Sequence, residues 1–196
     1  MSSKLVLIGA SSVFVGVAGT SAYALYNNSQ NLKKLKDLFD STKGRILLEA
    51  IGDKHDAVWE QIFNEYDKFH HKIPEIKSKD ELKGYCQKLE NSFNVKDLET
   101  YSNWCSRNTF SGQVAGSNKK WNDSKEDSSW ESSKTAYSKE ATDNFLISKN
   151  DNQAIAKNAL TVKELKEWCF KKSKLPFIND KDKDYLIADK FCTITQ

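Results

Sequence analysis

The feature that most constrains this chain is a segment written twice. Residues 78–86 (Ser-Lys-Asp-Glu-Leu-Lys-Gly-Tyr-Cys) and 161–169 (Thr-Val-Lys-Glu-Leu-Lys-Glu-Trp-Cys) share the form hydroxyl-x-x-Glu-Leu-Lys-x-aromatic-Cys. The hydroxyl can accept an orphan backbone N–H at a helix start while the Glu reaches back to another, so each copy opens a helix with a capping box. Upstream, Trp59-Glu60 leads to Tyr66 as Trp130-Glu131 leads to Tyr137, and downstream Trp104-Cys105 answers Phe191-Cys192. An ordered set of such matches predicts two copies of one structural unit. The alternative is two ordinary amphipathic helices that share a capping signal. Trp59, Trp104, Trp130 and Trp168 fall within the repeated frame and are expected in the core.

Helical spacing dominates the rest. Leu32, Leu35 and Phe39, then Ile46, Leu47, Ala50 and Ile51, recur at three and four, interrupted by Gly44 and Gly52. Asp53 can cap a helix carrying Val58, Trp59, Ile62, Phe63, Tyr66 and Phe69, which Pro74 ends. A short helix is expected from Asp97 to Cys105, with further helical patterns over 138–147 and 151–160. Residues 106–135 are Ser-, Asn- and Lys-rich and read as a mobile connector with one short helix at its end. Continuous alternation is scarce, so the expected class is all-α, built on helical hairpins. The domains follow as a tail at 1–4, an apolar segment at 5–26, repeat 1 at 31–105, a polar connector at 106–129 and repeat 2 at 130–196.

The apolar segment, Leu5 to Tyr26, carries no charge. As a helix it would reach across a hydrocarbon layer of roughly 30 Å. Two readings compete. An uncleaved anchor uses the whole length, with Tyr23 and Tyr26 as interfacial aromatics; a cleavable signal would be cut near Ala24, where Ala22-Tyr23-Ala24 supplies the small residues. Lys4 favours an inside N-terminus, whereas Lys33, Lys34 and Lys36 pull the other way, and long domains translocate largely regardless of such charges. The expectation is a single-pass membrane protein whose C-terminal body lies outside the cell, or a secreted one. Ser12, Gly16 and Thr20 form a small-residue stripe through which two such helices could self-associate.

Four cysteines behind an export signal favour disulfides. Two antiparallel helices joined by a short loop bring together residues equidistant from the turn. Cys86 and Cys105 are symmetric about the turn-like stretch Ser92 to Lys96, and Cys169 and Cys192 about Asn179-Asp180-Lys181-Asp182. The expected pairs are therefore Cys86–Cys105 and Cys169–Cys192, each contributing roughly 3 kcal/mol by closing its loop. Reduced, buried thiols are the competing reading. A zinc site lacks both a C-x-x-C motif and clustered histidines, and no metal or cofactor is expected.

Catalytic material is thin. His55, His70 and His71 all precede the first cysteine, and the His70-His71 pair reads as a solvated group near a helix end. The run Asp180-Lys181-Asp182-Lys183-Asp184 interleaves lysines and lacks the Gly and closing Glu of an EF-hand loop, so it reads as a turn. Net charge is +3, from 30 Lys+Arg and 27 Asp+Glu, which gives no one-signed field for nucleic acid. Trp121, in the polar connector and without a repeat counterpart, is the candidate exposed contact residue.

The basic start, the Gly/Ala/Ser-rich apolar segment, the spaced Trp-Glu and Tyr, the Glu-Leu-Lys-x-aromatic-Cys frame and the closing aromatic-Cys resemble the large paralogous families of uncharacterised proteins in haemotropic mycoplasmas. The Lys/Asn-rich, Pro-poor composition fits an AT-rich genome of that kind. The resemblance covers nearly the whole chain, and its motifs are structural, so it carries over no catalytic residue. It implies a secreted or membrane-tethered surface protein, a module for host interaction or antigenic variation with a host protein or cell as partner. The competing classes are a surface hydrolase or nuclease without a recognisable motif and a structural envelope protein.

Overall fold

A computed structural model describes residues 32–68, 76–142, 145–149 and 153–195. The apolar segment 5–26, with its anchor, cleavage and self-association readings, lies outside the described residues, as do Phe69, His70, His71 and Pro74. Among the described residues no helix is long and apolar enough to cross a membrane. From Lys33 onward the chain forms one compact unit.

That unit runs through the same order of elements twice. Repeat 1 consists of α1 (Leu35–Leu38), β1 (Arg45–Leu47), α2 (Asp56–Lys68), α3 (Lys79–Glu90), α4 (Leu98–Trp104) and β2 (Ser106–Asn108). Repeat 2 consists of α5 (Phe110–Val114), β3 (Lys119–Trp121), α6 (Glu131–Glu140), α7 (Val162–Lys172), α8 (Lys183–Phe191) and β4 (Thr193–Thr195). In each, the last strand follows the second cysteine directly and returns antiparallel to the first. Arg45 lies opposite Asn108 and Leu47 opposite Ser106. Lys119 lies opposite Thr195 and Trp121 opposite Thr193.

These two sheets overturn the all-α expectation: the fold is mixed α/β. The strands are three residues long and their partners lie across a whole repeat, so no alternation long enough to register exists in the sequence. The same cause explains two local corrections. Ile46 and Leu47, expected on a helix, lie on β1. The 138–147 and 151–160 patterns give α6 ending at Glu140 and then an isolated bridge between Ser148 and Ala154. The stretch 106–129 carries β2, α5 and β3, one strand for each sheet.

Each repeat encloses its own core. Leu35, Trp59, Tyr66, Leu82, Cys86 and Tyr101 are among the residues that fill the first, and Phe110, Trp130, Tyr137, Leu165, Cys169 and Phe191 among those that fill the second. The residues that the sequence repeats are the ones that lock the backbone. The Trp59 indole donates to the Glu49 carbonyl at 2.9 Å, and the Trp130 indole to the Ser124 carbonyl at 2.8 Å. Tyr66 meets Trp104 edge-on at 5.2 Å between centroids, as Tyr137 meets Phe191 at 5.2 Å. Such aromatic pairs add roughly 0.5–1.5 kcal/mol beyond burial.

The Lys of the repeated Glu-Leu-Lys has a position-specific task. Lys83 donates to the Asp56 carboxylate and the Gly52 carbonyl at the start of α2, at 2.8 and 2.7 Å. Lys166 does the same to Asp127 and to the Lys125 carbonyl ahead of α6. The caps hold as well. Ser78 Oγ accepts from Glu81 N at 3.1 Å, and Thr161 with Glu164 forms a complete capping box. In the first copy Glu81 instead accepts from Lys77 N.

Candidate functional site

Disulfides join Cys86 to Cys105 and Cys169 to Cys192, with Cα atoms 5.4 and 5.6 Å apart. All four cysteines are buried. Each bond ties the middle of one helix to the residue that ends the next, and so fixes where the closing strand begins. The closing residues then use the same device in both repeats. Ser106 Oγ donates back to the Ser102 carbonyl at 2.5 Å, and Thr193 Oγ1 to the Asp189 carbonyl at 2.6 Å. Leu48 N donates to Cys105 O, as Asn122 N donates to Cys192 O.

With the two sheets aligned in this way, Arg45 corresponds to Lys119, Ser102 to Asp189, Ser106 to Thr193 and Asn108 to Thr195. Over sheet 1 the Arg45 guanidinium is spent on its own repeat. Its Nε donates to Ser106 Oγ at 2.9 Å, Nη1 to Asn108 Oδ1 at 2.9 Å, and Nη2 to the Ser102 and Ser106 carbonyls at 2.9 and 3.0 Å. Burial, helped by the nearby Arg107 charge, pulls its pKa below the usual arginine value. Neither sequence periodicity nor composition singled out this residue. Extending the repeat alignment upstream to the basic residue that opens each strand would have found it.

Over sheet 2 the same face is open. Lys119 Nζ reaches Asp189 Oδ2 at 2.7 Å and the Asp189 carbonyl at 3.4 Å. Beside it lies an open depression of about 590 Å³. Buried Ile187 and Phe191 form its floor, and Phe145 and Leu186, both partly exposed, line it. A second ion pair, Lys190 to Glu140 at 3.0 Å, stands among its lining residues. A further depression, of about 260 Å³, is lined by residues that include His55, Leu175 and Pro176.

The remaining candidates have structural employment. Trp121, offered as an exposed contact, is half-buried on β3 and packs against the second core; its counterpart in repeat 1 is Leu47. Its indole N–H is enclosed without a hydrogen-bond partner among the described residues. His55 is buried, with Nδ1 accepting from Glu49 N at 2.9 Å and its carbonyl accepting from Val58 N and Trp59 N at the start of α2. Burial first, and the Lys54 charge second, lower its pKa. In the 180–184 run, Asp182 caps α8 through Tyr185 N and Asp184 pairs with Lys172. Among the described residues no group of three His, Cys, Asp or Glu side chains could hold a metal ion.

Comparison with protein-family models, with curated proteins and with solved structures gives no match for this chain.

Proposed function

We propose that this protein is a surface-displayed binding module: a duplicated, disulfide-closed body carried outside the cytosol by its N-terminal apolar segment and held at the membrane. The observation that carries the reading is the pairing of every cysteine into one buried disulfide per repeat. Such bonds form and persist where the surroundings are oxidising, and they are rare in the cytosol of mesophiles. The uncharged segment from Leu5 to Tyr26 supplies a matching route of export. The resemblance to haemotropic mycoplasma families adds the biological side, with a host protein or cell as the partner and antigen display as a use.

The test combines external protease with thiol mapping on intact cells that make the full chain. The reading expects the body to be cleaved without permeabilising the cells and the four cysteines to resist alkylation until reduced. A body protected until lysis, or thiols that label in native material, would overturn it.

A further inference from the structure

We infer that the depression over sheet 2 is a vacated guanidinium cradle, and that it takes an arginine side chain from a binding partner. The argument rests on the sister repeat. Over sheet 1, four hydrogen bonds hold a guanidinium against the closing strand, and their acceptors are two backbone carbonyls and the side chains of Ser106 and Asn108. The equivalent positions of repeat 2 retain this set in kind: the carbonyls of Asp189 and Thr193, and the hydroxyls of Thr193 and Thr195. Position 189 adds a carboxylate where repeat 1 has Ser102.

What repeat 2 lacks is the guanidinium. Lys119 is a compact cation without the planar fork that lets arginine bridge several acceptors. It satisfies Asp189 and, at 3.4 Å, grazes the Asp189 carbonyl. Its side-chain bonds end at Asp189, and the ammonium reaches neither the Thr193 carbonyl nor the Thr195 hydroxyl. The space that remains is lined by Phe145 and Leu186, which are 39% and 37% exposed. Those two suit the aliphatic stem and flat head of an arginine, which packs on apolar and aromatic surface while its head bonds to oxygen. Glu140, whose pair with Lys190 is half-exposed and so weak, offers a second carboxylate.

The inference concerns the folded body alone, so its failure would leave the proposed display at the membrane untouched. The test titrates the full-length protein with acetyl-arginine amide and follows backbone amide shifts, with acetyl-lysine amide and acetyl-citrulline amide as controls. Expected is saturable movement of the Thr193 and Thr195 amides with the arginine compound, binding about tenfold weaker with the lysine one, and none with the uncharged citrulline. Lys119→Arg should fill the cradle from within, abolish the titration and raise the melting temperature. Asp189→Asn should weaken binding with the fold intact by circular dichroism. Equal shifts from all three compounds, no saturable shift with arginine, or a Lys119→Arg protein that still binds would each overturn the assignment.

Discussion

The two repeats share a frame and differ in what rests on it. Both close their last strand with a disulfide, a back-bonded hydroxyl, an edge-on aromatic pair and a lysine tied to the head of the first long helix. These features fix the backbone. The differences lie on the sheet faces and at the joint between the repeats. The closing apparatus thus occurs twice while the faces it supports differ: sheet 1 is sealed by Arg45, and sheet 2 is open.

The joint shows the same division. Glycines 44 and 112 touch so closely that a Cβ on Gly112 would lie 1.9 Å from the Gly44 carbonyl oxygen. Arg107 grips Glu65 with two bonds of 2.6 and 2.7 Å and donates to the Phe177 and Ile178 carbonyls of repeat 2. Phe177 N donates to Asn108 O, adding the 175–177 segment to the edge of β2, where Pro176 needs no donor. The corresponding positions elsewhere are Asn118 and Asp37 for the glycines, and Ile194 and Ala136 for the ion pair. A further unit added by the same contact would meet two side chains in place of the glycines and no charge pair. The contact is specific to one junction.

The largest expected effect tests whether the repeats are energetically alike. Replacing both cysteines of either disulfide with alanine should cost about 3 kcal/mol in urea unfolding. Similar losses for 86/105 and 169/192, each with a single transition, would support two equivalent stapled units in one cooperative body. A second transition in one variant would show that the repeats come apart. Next is the joint. Gly112→Ala should cost up to about 3 kcal/mol through the forced separation from Gly44, whereas Gly84→Ala, where a Cβ meets nothing within 4 Å, should not destabilise. Equal effects would break the claim that the repeats are keyed at this point.

The sheet faces give a smaller contrast. Arg45→Met leaves the Ser106 carbonyl and the Asn108 amide oxygen without their arginine donor, while the Ser102 carbonyl keeps the Ser106 hydroxyl, and should cost about 2 kcal/mol. Lys119→Met removes a part-exposed ion pair and should cost under about 1 kcal/mol. Chemical denaturation of the two variants checks the order, and a reversal would mean that the sealed and open faces had been misassigned.

Much of the frame was legible because its residues carry two signals at once. The capping hydroxyl, the Glu and the aromatic beside cysteine each have a local reason and a repeat partner, so the frame stands out against generic helices. The role of Lys83 and Lys166 was not legible, since their partners Asp56 and Asp127 lie in a different element. The strands failed for a related reason. Three residues cannot display a period, and Arg45-Ile46-Leu47 looks like a helical fragment until Ser106 to Asn108 are placed beside it. Trp121 was misread because polar neighbours suggested a loop, although the sequence offered Leu47 as its counterpart once the strands are aligned. The open face was least legible, because it depends on the length and shape of one basic side chain.

The smallest expected effect concerns pH and separates the two helix heads. Repeat 1 begins its first long helix at a buried imidazole. His55 Nδ1 accepts the Glu49 N–H, which requires the neutral form with its proton on Nε2. Lys54 opposes protonation and Glu49 favours it, while Asp182 and Asp184 line the same depression. Burial and Lys54 prevail, so the folded pKa lies below the unfolded value of about 6.5. The unfolded chain therefore binds the proton first, and stability from this group is complete above about pH 6.5 and declines as pH falls toward the folded pKa. Its slope cannot exceed about 1.4 kcal/mol per pH unit. His55→Gln should flatten the stability profile between about pH 5 and 6.5 relative to the parent chain. Unfolding free energies measured across that interval decide it, and parallel profiles would show that the imidazole at this helix head titrates no differently in the folded and unfolded chain.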